Sequence, residues 1–294
     1  MDIFRNTNIN FLAKRKFAYI LSMIVILAGL FSLISKGGPK LGIDFTGGTL
    51  VQLNFGEIAI ENDEVRTGLE SMGFENIAIQ RFTGSNIMIF RIPATDQLAN
   101  SKINELQTYI NKDFVIEKVE IVGPAVGKWL VKRALLAFCL AFLGIIIYIA
   151  IRFHAGIWGL AGVMALVHDI LVTVGIFSLL GKEITLPVVA ALMTIVGYSI
   201  NDTIVIYDRI RENIRIRYKD PLDVVVNDSI NQTLSRTVIT TVLTLFSAFA
   251  LFLFGGDILR DFSLVLIIGM ISGVYSTIFV ASPVVYDVKN KKTK

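Results

Sequence analysis

Six apolar runs, each close to the roughly 20 residues that carry a helix across a hydrocarbon core, decide what this chain can fold into. They lie at about 17 to 35, 134 to 151, 157 to 180, 186 to 207, 237 to 254 and 262 to 286. With 54% hydrophobic residues and a mean hydropathy of +0.66 over 294 residues, there is more apolar surface than a water-soluble domain of this length can bury. A bilayer takes up the surplus. The net charge is +4 and the pI near 9.1, yet the lysines and arginines cluster beside the apolar runs, where membrane topology needs them, which argues against nucleic-acid binding. The single cysteine, Cys139, sits inside an apolar run and reads as a small core residue.

Lys14, Arg15 and Lys16 precede the first run, whose end, Ser32-Leu33-Ile34-Ser35-Lys36, lacks a small-x-small cleavage pattern, so the run reads as a retained signal anchor. Cytoplasmic loops are enriched in Lys and Arg. That rule places Arg5 and Lys14 to Lys16, the loop with Arg152 and His154, the stretch from Arg209 to Lys219, and the tail from Lys289 to Lys294 on one side, as six spans require. Gly181-Lys182-Glu183 and Gly255-Gly256-Asp257 are short, nearly neutral outer turns. The expected layout is a cytoplasmic N-terminus (1–16), a first transmembrane helix (17–35), an extracytoplasmic domain (36–128), a five-helix transmembrane bundle (129–286) and a basic cytoplasmic tail (287–294). Within the bundle, a cytoplasmic amphipathic segment at about 208–235 contains an interfacial helix after Asp220-Pro221, with Leu222, Val225, Val226 and Ile230 on one face.

Residues 36–128 have ordinary soluble composition. Thr49 to Phe55 alternates as a strand, and Asp63 to Met72 has helical spacing. Two strands, 77–82 and 87–92, meet through Thr83-Gly84-Ser85-Asn86; a helix opens at Pro93 and runs to about Ile110, and 116–122 alternates again. This β-α-β-β-α-β order predicts a ferredoxin-like domain. The expected fold class is thus a six-helix α-helical transmembrane bundle with an α+β ferredoxin-like extracytoplasmic domain, a fold that by itself names no activity.

No Walker lysine, phosphate loop, metal-ligand cluster or nucleophile triad occurs, so neither an enzyme nor a metal or organic cofactor is expected. Ionisable residues inside spans carry the signal instead, because a charge at mid-bilayer costs at least about 2.5 kcal/mol and is usually functional or paired. His168-Asp169 lies near the middle of the third span. Asp202 lies in the fourth, within Gly197-Tyr198-Ser199-Ile200-Asn201-Asp202-Thr203, and helical spacing puts Tyr198 and Ser199 on its face. Arg236 opens the fifth span ahead of a hydroxyl stripe of Thr237, Thr240, Thr244 and Ser247. An arginine facing Asp202 would hold the carboxylate ionised until protonation released it, which is a proton relay. The alternatives are an Arg236 that snorkels to the interface, threonines that bond back to their own helix, and purely structural roles for Asp202 and for His168-Asp169. Gly269, Ser272, Gly273 and Ser276 in the sixth span read as close helix packing.

These residues resemble the SecF family, the smaller partners of SecD in bacterial secretion, within the resistance-nodulation-division superfamily. The matching stretches are Gly42-Ile43-Asp44-Phe45-Thr46-Gly47-Gly48-Thr49, His168-Asp169, Val196 to Thr203 with Asp208 to Asn213, and Ser235-Arg236-Thr237. The resemblance implies a multi-pass inner-membrane subunit driven by the proton motive force. Its partners would be a SecD-like subunit, the SecYEG channel, YajC, unfolded preprotein and membrane lipid. It also implies that Asp202 and Arg236 serve proton flow, with Tyr198, Ser199, Asn201 and Thr240 along the pathway and His168 and Asp169 as a secondary pair. Gly42, Asp44, Gly47 and Gly48 form the family signature, as a tight glycine turn or a contact with cargo. A small-molecule or lipid exporter of the same superfamily and a passive channel-stabilising subunit remain as rival expectations.

Overall fold

The computed structural model of the chain describes residues 7–57, 60–72, 78–81, 86–92, 106, 108–110, 112–153 and 156–293. Among them, six helices have the length and apolarity to cross a membrane: Leu12–Ser35, Pro124–Phe153, Gly156–Leu179, Leu186–Ile216, Leu222–Phe254 and Leu259–Asn290, the first to sixth spans. The chain divides into two compact units, Met1–Lys40 with Ala137–Lys294, and Leu41–Leu136.

Several helices outrun their apolar windows. The second begins at Pro124, the fourth continues to Ile216 and the fifth begins at Leu222. At 1.5 Å per residue the 33-residue fifth helix is about 50 Å long, against about 30 Å of hydrocarbon, so hydropathy marks only the part that lipid covers. The expected amphipathic segment at 208–235 is therefore corrected. It is the end of the fourth helix, a turn, and the start of the fifth, with no separate interfacial helix. Val225, Val226 and Ile230 are at most 1% exposed, and Val226 and Ile230 share a core with Trp158, Tyr207 and Ile278. The side chains of Asn231 and Asn227 on the same stretch accept hydrogen bonds from the backbone N–H of Ile9 (3.0 Å) and Phe11 (2.8 Å). An amphipathic pattern reports that a face is buried, and not what buries it.

One end of the bundle gathers the basic clusters. Arg15 pairs with Asp287 at 3.1 Å, Arg152 with Asp208 at 2.6 Å and Arg217 with Asp228 at 2.6 Å. At the other end Lys182 meets Asp261 at 2.8 Å and Lys40 meets Glu183 at 2.9 Å. Arg5, His154 and Lys294 lie outside the described residues, as do the side chains of Lys291, Lys292 and Asp257.

The third, fourth and sixth spans form the packed centre, about half or more of each apolar window being buried, against 6% for the second. Cys139 on that second span is exposed, which corrects its expected core position. A helix apolar on every side gives no periodic contrast between a lipid face and a core face. The first and third spans cross backbone to backbone: a Cβ on Gly29 would sit 2.6 Å from Gly175 Cα. On the sixth span Gly269 and Gly273 pack against Ile195 and Ser199 of the fourth. Small residues let membrane helices approach this closely. The final span contains a π turn at Thr277–Ala281, a geometry frequent at functional positions.

In the other unit, Gly48–Asn54 (β1), Ala78–Arg81 (β2), Ile87–Ile92 (β3) and Val115–Val122 (β4) form a four-stranded antiparallel sheet in the order β2-β3-β1-β4. Val51 and Leu53 of β1 alternate inward with Met88 and Phe90 of β3, and the helix Asn62–Ser71 covers that face with Val65 and Leu69. The register between β1 and β4 shifts after Gln52, and Glu117 at the shift accepts hydrogen bonds from Gln52 Nε2 (2.7 Å) and Asn54 Nδ2 (2.6 Å). Of the helix expected at 93–110, Leu106 and Thr108–Ile110 are helical; the rest, and the turn Thr83-Gly84-Ser85, lie outside the described residues. Gly47 and Gly48 have φ of 75° and 126°, and a Cβ on Gly47 would sit 3.0 Å from Pro124 Cα. The pair turns the chain into β1 where side chains could not follow. The Gly42 carbonyl accepts from the N–H groups of Phe45 and Thr46, closing the helical turn that contains Asp44.

The glycine crossing gives a first prediction. Gly175→Val forces the first and third spans apart and lowers stability by about 1–3 kcal/mol, read as thermal unfolding in detergent. Gly144→Val, at a position with nothing within 4 Å, leaves the unfolding temperature nearly unchanged.

Candidate functional site

Asp169 lies about 20 Å along the third helix from Gly156 and is 1% exposed. In hydrocarbon its carboxylate has no bulk water to accept from, so the protein must supply donors. Its Oδ2 accepts from Ser199 Oγ of the fourth span (2.6 Å) and Ser276 Oγ of the sixth (2.8 Å). Its Oδ1 accepts from Ser272 Oγ of the sixth (2.7 Å) and lies 3.1 Å from His168 Nδ1. The other ring nitrogen, Nε2, lies 3.0 Å from Ser22 Oγ of the first span, which donates to Tyr275 Oη at 3.1 Å; Tyr275 Oη donates to the Ala18 carbonyl at 2.6 Å. One polar network thus joins four spans at mid-depth.

Asp202 is also buried, 5% exposed, and so does not face lipid. Tyr198 Oη donates to Thr241 and Thr244 Oγ1, each at 3.4 Å; further along, Arg209 Nε donates to Gln232 Oε1 and Asn213 Nδ2 to Ser229 Oγ. This antiparallel register sets Asp202 level with the stretch from Arg236 to Thr240. Arg236 is close enough for its charge to act on Asp202. Among the described residues, however, no ion pair within 4.0 Å joins them. Arg236 is exposed at the side of the fifth span.

The nominated residues therefore divide. Ser199, expected on the face of Asp202, instead bonds Asp169, because the two residues, three apart, are offset enough for one to meet the third span. Thr240 Oγ1 returns its hydrogen bond to the Arg236 carbonyl (2.9 Å), and Thr244 Oγ1 does the same to Thr240, which is the back-bonding alternative. Asn201 is exposed. Beside Arg236, Ser235 Oγ and Thr237 Oγ1 are buried without a protein partner. Sequence reasoning missed Ser22, Tyr275, Ser272 and Ser276 as polar partners. The signal that could have found the two serines is their i, i+4 spacing at the depth of Asp169, a spacing that close helix packing shares.

The chain matches the family described as protein export membrane protein SecD/SecF, C-terminal, over residues 102–291, and the SecD/SecF GG motif over residues 31–57. It belongs to the SecD/SecF family. The GG-motif match spans the glycine turn at Gly47-Gly48. The protein translocase subunit SecF of Calditerrivibrio nitroreducens is 39% identical over 305 residues, covering 100% of this chain and 99% of that relative. The subunit of the same description from Haemophilus influenzae is 40% identical over 281 residues, covering 95% of this chain and 85% of its own length. Among solved structures, SecDF from Thermus thermophilus, described as a translocon-associated membrane protein, superposes with a TM-score of 0.90 at 35% identity. That match covers 99% of this chain and 40% of the longer Thermus chain. SecDF in a super-membrane-facing form gives a TM-score of 0.72 at the same 35% identity.

The two aspartates make opposite stability predictions. Asp169→Ala leaves a histidine and three hydroxyls without their shared acceptor and destabilises by about 3–5 kcal/mol. Asp202→Asn, which breaks no hydrogen bond among the described residues, changes stability by less than about 1 kcal/mol. Thermal unfolding of the two purified variants measures both.

Proposed function

We propose that this chain is the smaller subunit of a SecD–SecF complex that uses the proton gradient to assist protein translocation through the SecYEG channel. Full-length similarity to proteins described as protein translocase subunit SecF supports the export role, and the superposition on a fused SecDF chain supports a SecD-like partner. The basic clusters collected at one end of the bundle favour a multi-pass inner-membrane protein with both termini cytoplasmic. The strand order β2-β3-β1-β4, with a helix between β1 and β2, favours a ferredoxin-like extracytoplasmic domain that meets unfolded preprotein. YajC and membrane lipid complete the partners. The chain acts without a catalytic residue, metal or organic cofactor.

The observation that carries proton coupling is Asp202, a buried carboxylate that no protein donor locks, set level with Arg236 and the partnerless Thr237 hydroxyl. A group that exchanges protons must be free to change its charge, and a nearby guanidinium responds to that change without a fixed ion pair. One charge falling through 100 mV releases about 2.3 kcal/mol, enough to bias a two-state movement roughly fiftyfold. Protonation of Asp202 alters its attraction to Arg236, shifts the fourth span against the fifth, and so drives the extracytoplasmic domain between gripping and releasing forms. That SecDF is known in more than one form accords with such a cycle.

The missing Asp202–Arg236 contact also favours a second reading, a passive subunit that only stabilises the channel. Vesicles carrying Asp202→Asn decide between the two. Gradient-dependent export falls to the level seen without a gradient, while the complex still assembles and export driven by ATP alone continues. Export that keeps its gradient dependence leaves the passive subunit.

A further inference from the structure

The hydrogen bonds around His168 have directions that can be read from one end. The Ala18 carbonyl only accepts, so Tyr275 Oη commits its one hydrogen there. Tyr275 then accepts from Ser22 Oγ, and Ser22, with its own hydrogen committed, accepts from His168 Nε2. Nε2 therefore carries hydrogen. On the opposite side of the ring, the 3.1 Å contact between Nδ1 and Asp169 Oδ1 closes only with one more proton between them. That proton sits either on Nδ1 facing a carboxylate or on the carboxyl group facing a bare Nδ1. Both arrangements leave the pair neutral, the charge state that this depth favours.

We propose that His168 and Asp169 form a second proton-holding site, distinct from Asp202, whose release of one proton breaks the Ser22–Tyr275 hydrogen bond between the first and sixth spans. The proton leaves to water from the Nδ1–Oδ1 contact, and the pair becomes singly negative. A bare Nδ1 cannot face a carboxylate, so the remaining ring hydrogen moves from Nε2 to Nδ1. Nε2 becomes an acceptor, and Ser22 turns its hydroxyl from Tyr275 toward the ring. Tyr275, its hydrogen held by Ala18, has nothing to give back, and the Ser22–Tyr275 bond is lost.

A cavity of about 320 Å³ lies beside the ring, bordered by Ser22, His168, Ser272 and Tyr275 among apolar side chains. Tyr275 of the sixth span stacks on His168 at 5.8 Å. On the fourth span the titratable groups within eight residues of Ser199 are Asp202, three residues beyond it, with Tyr198 and Tyr207, which are bonded to the fifth span and to the Ala281 carbonyl. On the first span Tyr19 is bonded to Asp287. Among the described residues, no lysine or arginine pairs with Asp169. The site stands on its own geometry and does not rest on the role assigned to Asp202.

The chain has two histidines, so His154→Gln leaves His168 as the sole imidazole. Nitrogen-15 NMR of the histidine-labelled full chain in lipid nanodiscs reads its tautomer directly. The expected spectrum at neutral pH has hydrogen on Nε2, and raising the pH gives one transition to hydrogen on Nδ1 alone. Adding Asp169→Asn lowers the proton affinity about tenfold or more. Adding Ser22→Ala, a change that leaves the pair in place, moves the transition to lower pH because releasing the proton no longer costs the Ser22–Tyr275 bond. A ring already protonated on Nδ1 alone at neutral pH, or a ring whose tautomer does not change as the pH is raised, overturns the proposal. A transition unmoved by Ser22→Ala also overturns it, and that arm decides the matter if the Asp169 variant fails to fold.

Discussion

A carboxylate halfway through a membrane must find its hydrogen-bond donors inside the protein, and meeting that demand at Asp169 organises the helices around it. Its donors come from the fourth and sixth spans and from the adjacent histidine, which reaches the first. Hydroxyls on short side chains bond only when backbones are close. The same helices accordingly carry glycines at their contacts: Gly29 against Gly175, and Gly269 and Gly273 against the fourth span. Where Ser276 reaches Asp169, the sixth span enters its π turn, and Thr277 at the start of that turn meets Thr203 at 2.9 Å. Close packing and polar satisfaction are here one requirement, because each fails without the other.

Asp202 obeys the opposite rule. It is almost as buried, yet among the described residues no donor fixes it, and the hydroxyls of Ser235 and Thr237 beside Arg236 lack protein partners. A saturated carboxylate resists any change of charge state that its donors cannot follow. An unsaturated one keeps a cost that protonation can relieve. The fourth span carries both regimes within one turn, since Ser199 is tied to the fixed acid and Asp202 is three residues away. Movement at one is mechanically shared with the other through a rigid helix.

Most of the fold was legible because its signals are local. Six apolar runs, the basic clusters and the period-two strands each report what a stretch of residues needs, and the six spans and four strands follow. The expectations that failed concern what lies on the other side of a face. The pattern of Val225, Val226 and Ile230 announces burial, but lipid and protein satisfy it equally. Cys139 has apolar neighbours on every side and hence no readable orientation. At the site, Asp169 and Asp202 stood out as buried charges, whereas Ser22, Ser272, Ser276 and Tyr275 did not. Serine and tyrosine in a span are cheap enough to occur without function, so only their joining of one network around His168 and Asp169 distinguishes them. That network comes from four helices far apart in the chain.

The choice of hydroxyls rather than a lysine or arginine to hold Asp169 follows from the same physics. A cation paired with the carboxylate would be left uncompensated in hydrocarbon whenever the acid took a proton, at a cost of several kcal/mol. A hydroxyl has both a hydrogen and lone pairs, so it can donate to a carboxylate and accept from a carboxyl group in nearly the same position. Ser199, Ser272 and Ser276 therefore suit both protonation states, and the histidine beside them can hold or yield the proton that separates those states. Arg236, the cation nearest the other acid, stays at the exposed side of its helix, where losing the negative charge of Asp202 does not strand it. The two acids thus reach tolerance of a changing charge by different means, one by surrounding itself with groups that donate or accept and the other by keeping its cation at a distance.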